Sequence, residues 1–395
     1  MKKIIYLILI LTLVICSTTV SFATEEATAS SGATMQFTGE EIQLSLQDAI
    51  EMVLSESPAI ELARVNQRAG QGMTRRSFEA YRSAITPITI DVPFGAVQTI
   101  TRSASRTEVE MADLALSFNR EQVPLNFQAE VNHITRAAVE QYFGVVLARE
   151  NFRISRGDVE LSRILYQNTQ SRFNSGLASR HDVIMAEFGL SEAIVRSATA
   201  ETRYTNARMG FNIAFGYDLM QNITLTDTLQ EVPLPNISLG EAIEMALENR
   251  NEIRGTNFRF RMAELDMANV INSRNYTRFS SRHIQAEATL IGATAGRDNA
   301  PKQVEMDVRA RYLDMTQRRN EVILARQNVI DTQEAYRLAN LQFNAGMITL
   351  AETQRALLMT HQVELGLYNA LLMYNLAVLD FELATTVGTE RVNIM

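Results

Sequence analysis

The chain has one cysteine, no tryptophan, seven prolines and, beyond its third residue, a single lysine, Lys302, among 395 residues. Each shortage removes a class of explanation. A lone cysteine, Cys16, forms no internal disulfide and leaves no thiol set for redox or zinc chemistry. So few prolines leave long stretches without helix breakers. Basic charge is carried by arginine interspersed with acid, and 45 acidic against 37 basic residues give a net charge of −8. An acidic chain without a basic patch argues against nucleic acid as a partner. The most apolar stretch, Ile4–Ile15 with Thr12 inside it, has twelve residues, short of the roughly 20 that a spanning helix needs. No Gly-rich phosphate loop and no Ser/His/Asp or Cys/His set in a supporting context occurs. His133, His181, His283 and His361 lack metal-ligand spacing. The chain reads as a non-enzyme with no catalytic, cofactor-binding or metal residues.

Residues 1–23 read as a secretory signal: Lys2 and Lys3, the apolar run, then Ser21-Phe22-Ala23 as a small-x-small cleavage site. Cleavage after Ala23 leaves 35 basic and 45 acidic residues, a net −10, and removes Cys16. A lipid-bearing Cys16 is the other reading, although bulky Ile15 before it suits lipoprotein signals poorly. Residues 24–41 are small and polar, a flexible leader.

The strongest signal is duplication. Ser45-Leu46-x-x-Ala49-Ile50-Glu51-Met52 returns as Ser238-Leu239-x-x-Ala242-Ile243-Glu244-Met245. Phe173-Asn174-Ser175-Gly176 returns as Phe343-Asn344-Ala345-Gly346. Tyr204, Ala207, Phe211 and Ala214 return as Tyr374, Ala377, Phe381 and Ala384. A repeat of this size points to a pseudo-symmetric device rather than one asymmetric active site. Heptad positions 138, 145, 152, 159, 166 and 173 are apolar, and so are 308, 315, 322, 329, 336 and 343, which predicts paired long helices. The first should run from about Glu108 to Asn174. After each Gly a second helix places Ala at nearly every second inward site, so that the two axes can approach closely. The fold class is therefore mainly α: two tandem repeats of long antiparallel coiled-coil hairpins, turned at Gly176 and Gly346. The expected layout is a first repeat at 42–216, a linker at 217–237, a second repeat at 238–390 and a tail at 391–395. Within the first repeat, residues 86–107 alternate weakly and form a possible short strand region. Residues 288–303, with Gly292, Gly296 and Pro301, read as a turn between helices. The repeat offset falls from 193 at the helix starts to 170 at the tips, so the second repeat is 23 residues shorter between Leu247 and Val308.

The hairpins, the duplication and the paired tips Arg172-Phe-x-x-Gly176-x-x-Ser179-x-x-Asp182 and Gln342-Phe-x-x-Gly346-x-x-Thr349-x-x-Glu352 resemble the TolC family of outer-membrane efflux and secretion ducts. The resemblance covers about residues 42–390. It implies a homotrimer in the outer membrane and periplasm. Such a duct is a passive channel of a tripartite efflux pump or type I secretion system. It works with a periplasmic adaptor (membrane fusion) protein and an inner-membrane transporter. It implies adaptor contact at Gly176, Ser179, Gly346 and Thr349. Asp182 and Glu352 are first-turn acids that complement helix dipoles; in three copies they would also form an acidic gate. Family members insert two strands per repeat into a barrel. Two strands and a loop need roughly 22 residues or more. Residues 86–107 just supply that length, and the second repeat offers no comparable stretch, so a reduced or absent barrel is expected. The alternative is a barrel-less envelope coiled-coil scaffold without a pore.

Overall fold

The computed structural model describes residues 37–86, 105–273 and 276–392. The expected signal, Cys16 and residues 87–104 of the expected strand region lie outside those residues. The described part belongs to one unit, Phe37–Met395.

Its elements run β1 (Thr38–Leu44), α1 (Leu46–Glu56), α2 (Pro58–Ile85), α3 (Arg106–Asn174), α4 (Arg180–Ala214), β2 (Gln221–Leu225), α5 (Leu239–Asn249), α6 (Asn251–Asn272), α7 (Ser281–Asn344) and α8 (Leu350–Ala384). Helices α1 and α5 start alike. The Ser45 and Ser238 side chains accept from the N–H of Asp48 and Glu241, whose carboxylates accept from the serine N–H in return. Pro58, at the first turn of α2, has no N–H to continue the α1 ladder, so the chain breaks there and Ser57 caps α2. In the second repeat Arg250 holds that place without a side-chain cap. Its guanidinium is instead buried, pairing with Glu252 and Asp307.

Helices α3 and α7 have 69 and 64 residues, roughly 100 Å at 1.5 Å per residue. Each is flanked along its length by two shorter helices. Helices α2 and α4 lie on α3, α6 and α8 lie on α7, and the repeats meet where α3 touches α6 and α8. All twelve expected heptad positions are buried or half-buried. The apolar core sits mid-length, with Tyr142, Val146, Val308, Val322, Tyr374 and Phe381 fully enclosed. Strands β1 and β2 pair in parallel, Ile42 opposite Ile223 and Leu44 opposite Leu225. A parallel pair demands a long crossover, and here the crossover is the whole first repeat. The Tyr142 hydroxyl ties this pair to α3, donating to the Asp227 carboxylate at 2.7 Å and lying 3.0 Å from the Leu44 carbonyl oxygen. Burial, then that carboxylate, push its phenol pKa upward.

Three details depart from expectation. Residues 288–303 are no turn: α7 runs through them, Pro301 included. Ala286, Ala300, Val304 and Val308 are buried there, and packing on α6 outweighs the propensity cost of Pro and Gly. Residues 38–41, read as leader, belong to β1, and β2 lies inside the stretch read as a linker. The strand region cannot reach 107, because α3 is already capped by Ser105. The 23-residue deficit of the second repeat is spread over three places. Helix α6 has 22 residues against 28 in α2, α7 has 64 against 69 in α3, and the α6–α7 connection, 273–280, has eight against twenty at 86–105. Eight residues cannot make two membrane strands of about 9–11 residues each.

Candidate functional site: the hairpin tips

The tips are built by two short stretches that differ in sequence and agree in geometry. Helix α3 ends at Asn174, and Gly176 takes φ +71°. The Gly176 N–H donates to the Phe173 carbonyl at 2.9 Å and the Leu177 N–H to the Arg172 carbonyl at 2.8 Å. At the second tip Gly346 takes φ +74°. Its N–H donates to the Phe343 carbonyl at 2.9 Å, and the Met347 N–H to the Gln342 carbonyl at 2.8 Å. Both are Schellman turns, and the left-handed residue explains the glycines. In such turns the residue after the glycine often packs back on the last helical turn. Here Leu177 and Met347 are 70% and 74% exposed, so each tip presents one large apolar side chain outward.

Ser179 and Thr349 then cap α4 and α8 through capping boxes with Asp182 and Glu352. The Asp182 Oδ2 accepts from the Ser179 N–H at 2.8 Å and from its hydroxyl at 2.7 Å. The Glu352 Oε2 accepts from the Thr349 N–H and hydroxyl, both at 2.8 Å. The backbone bond first, then the hydroxyl, holds each carboxyl below its ordinary range, so both stay anionic at neutral pH. The structure places Gly176, Ser179 and Asp182 at one tip, and Gly346, Thr349 and Glu352 at the other.

Arg172 joins the tips. Its Nη1 donates to the Phe343 and Asn344 carbonyls at 2.6 and 2.8 Å, and its guanidinium lies 4.9 Å from the centre of the Phe343 ring. A side chain of the first hairpin thus satisfies the last carbonyls of α7. Gln354 adds a second link, donating to the Met185 carbonyl at 3.1 Å. A small apolar cluster of Leu165, Ala186, Phe343 and Leu350 fills the space between.

Further up, a buried polar cluster lies where the hairpins pack together. Asp158 on α3 is buried, and Arg196 on α4 donates to its Oδ2 at 2.7 Å. His361 Nδ1 on α8 lies 4.0 Å from the same oxygen. Burial, then the Asp158 charge, push the Tyr336 phenol pKa upward. Sequence reasoning missed this cluster, because Asp158 and Arg196 look like any charges on a helix face. It also missed the Arg172 link, although Arg172 stands inside the tip motif. Its counterpart, Gln342, gives no hint of a partner across the repeats.

Among the described residues no three His, Cys, Asp or Glu side chains converge as a metal cage. No described helix is long and apolar enough to cross a membrane. No protein-family model and no curated protein matches the sequence. The fold, however, matches solved structures. The Campylobacter jejuni CmeC outer membrane channel aligns with a TM-score of 0.67 at 13% identity, covering 88% of this chain and 87% of that one. The outer membrane protein VceC from Vibrio cholerae aligns at 0.64 and 15%, covering 87% and 97%. A membrane protein from Pseudomonas aeruginosa aligns at 0.66 and 14%, covering 88% and 91%. The duplicated hairpin architecture expected from the resemblance to the TolC family is the one observed, and at these identities the likeness is one of fold.

Proposed function

We propose that the chain is the subunit of a passive, trimeric duct in the cell envelope. The duct carries substrates delivered by an inner-membrane transporter and is docked through its tips by a periplasmic adaptor. The observation that carries this reading is the pair of matched tips. Two repeats that differ at their other end keep the same Schellman turn, the same capping box and one outward apolar side chain, Leu177 or Met347. Folding needs the turns; it does not need Leu177 and Met347 exposed. Gly176, Ser179, Gly346 and Thr349 shape the docking surface. Asp182 and Glu352, anionic at neutral pH, would ring the narrow end three times over and favour cations.

Exposed apolar rows support self-association. Ile184, Phe188 and Val195 follow one face of α4, and Met306, Leu313 and Leu324 lie along α7, all exposed in a single chain. The test is the mass of the chain without residues 1–23 by light scattering, followed by conductance in a planar bilayer. Three copies with a steady, cation-preferring conductance support the duct. A single copy overturns it. The eight-residue α6–α7 connection favours the second reading, a pore-less coiled-coil scaffold, and a trimer that never conducts would select it.

A further inference from the structure

The segment that follows α8 is held in a way that the duplication does not explain. Residues 386–392 lie in the groove between α3 and α6, where the two repeats meet. Asn132 of α3 donates from Nδ2 to the Thr386 hydroxyl at 3.1 Å and to the Gly388 carbonyl at 2.9 Å. Asn251, at the start of α6, donates to the Glu390 carbonyl at 3.3 Å. Asn126 grips one residue by both its polar groups. Its Nδ2 donates to the Val392 carbonyl at 2.7 Å, and its Oδ1 accepts from the Val392 N–H at 2.9 Å. Three alternate carbonyls, those of 388, 390 and 392, are thus each read by an asparagine. Gln122 links the set, donating to Asn126 at 2.9 Å and to Asn251 at 3.1 Å. Arg391 pairs with Glu130 of α3 at 3.1 Å. Gly255 of α6 leaves a pit for Val392: a Cβ placed there would come within 2.6 Å of Val392 Cγ1.

Gln122, Asn132 and Asn251 are buried, and a buried amide is costly unless both its ends are bonded. Without residues 386–392 the Nδ2 groups of Asn126 and Asn132 lose every partner they have among the described residues. The repeat does not copy the arrangement. At the offsets of 170 and 193, the counterparts of Gln122, Asn126, Asn132, Asn251 and Gly255 are Gly292, Gly296, Lys302, Pro58 and Leu62. We infer that the α3–α6 groove is a binding slot for extended peptide backbone, and that residues 388–392 are its resident ligand. The amides read main chain and are indifferent to side chains. The pit at Gly255 sets the one side-chain requirement, at position 392. Occupied, the slot fastens the first repeat to the second; emptied, it leaves its amides to water and loosens that seam. The slot lies within one chain and is independent of the duct reading.

The first experiment is hydrogen exchange, read by mass spectrometry, on the chain without residues 1–23. Gly255→Ala raises the helix propensity of α6, and the added methyl meets Val392 first. It should speed exchange in the fragment that spans Val392 about tenfold, while the core amides of α3 and α7 stay protected. Adding Val392→Ala, which withdraws the colliding methyl groups, should restore most of the protection. Equal exchange in wild type and Gly255→Ala, or no recovery in the double variant, would overturn the slot. The second experiment supplies the ligand in trans. A labelled peptide of residues 388–395 should bind saturably to the chain ended at Val387, and about tenfold more weakly when that chain carries Gly255→Ala. Fluorescence anisotropy reads both. No binding to a shortened chain that keeps its helical circular dichroism would also overturn the slot. If the shortened chain does not fold, the exchange data on the intact chain decide alone.

Discussion

At the scale of single residues, the tips are governed by hydrogen bonds rather than by apolar mass. Arg172 serves two carbonyls and one ring of the opposite hairpin. Arg172→Ala should cost about 2 kcal/mol, visible in chemical denaturation, and should speed proteolysis near Asn344. Arg172→Lys should recover only part of this, because an ammonium does not stack on the Phe343 ring as the planar guanidinium does. The capping carboxylates give a pH dependence of definite sign. Asp182 and Glu352 titrate below their ordinary range in the folded chain. Their contribution is therefore complete above the unfolded carboxylate range, about pH 4, and is lost as pH falls through the lower folded values. An Asp182→Asn, Glu352→Gln double variant should melt below the wild type at pH 7, with the gap closing as pH falls through the lowered folded values. A gap that widened on acidification would contradict the caps as the source.

At the scale of elements, the long helices were legible and their irregular places were not. Heptads and the matched Ser-Leu openings marked α1, α3, α5 and α7, because a buried face repeats over many turns and leaves a periodic trace. Pro301 with Gly292 and Gly296 misled, since local propensity argued for a turn while the buried Ala300, Val304 and Val308 belong to a helix held by its neighbours. The pairing of β1 with β2 left no usable trace, because its partners stand a whole repeat apart. The tip turns were legible because glycine at positive φ is a local requirement, whereas the contacts of Arg172 and Asp158 depend on tertiary placement. The heptad argument gives its own prediction. Val322→Ala, at a fully buried position, should cost about 2 kcal/mol in the unfolding free energy. An equal loss from Ile323→Ala, exposed one residue along, would mean that the heptad face is not what holds α7.

At the scale of the whole molecule, the repeats are alike at the tips and unlike at the other end. If the proposed trimer forms, the row Ile184, Phe188 and Val195 should be part of its seam. Phe188→Ser should then shift the light-scattering mass toward one copy while leaving the helical circular dichroism of the monomer intact. An unchanged mass would move the seam elsewhere on α4 or α7.

The distribution of the core has a mechanical consequence. Apolar packing is concentrated mid-length, around Tyr142 and Phe381, and thins to four residues near the tips. Between them Asp158 of α3 is enclosed, paired with Arg196 of its own hairpin and 4.0 Å from His361 of α8. Each hairpin is therefore a cantilever clamped at its middle. From Val146 to Asn174 the arm is roughly 40 Å long, so a rotation of only about 5° at the clamp swings its end by about 4 Å. Small rearrangements in the most rigid part of the molecule would be read out, magnified, at Leu177 and Met347.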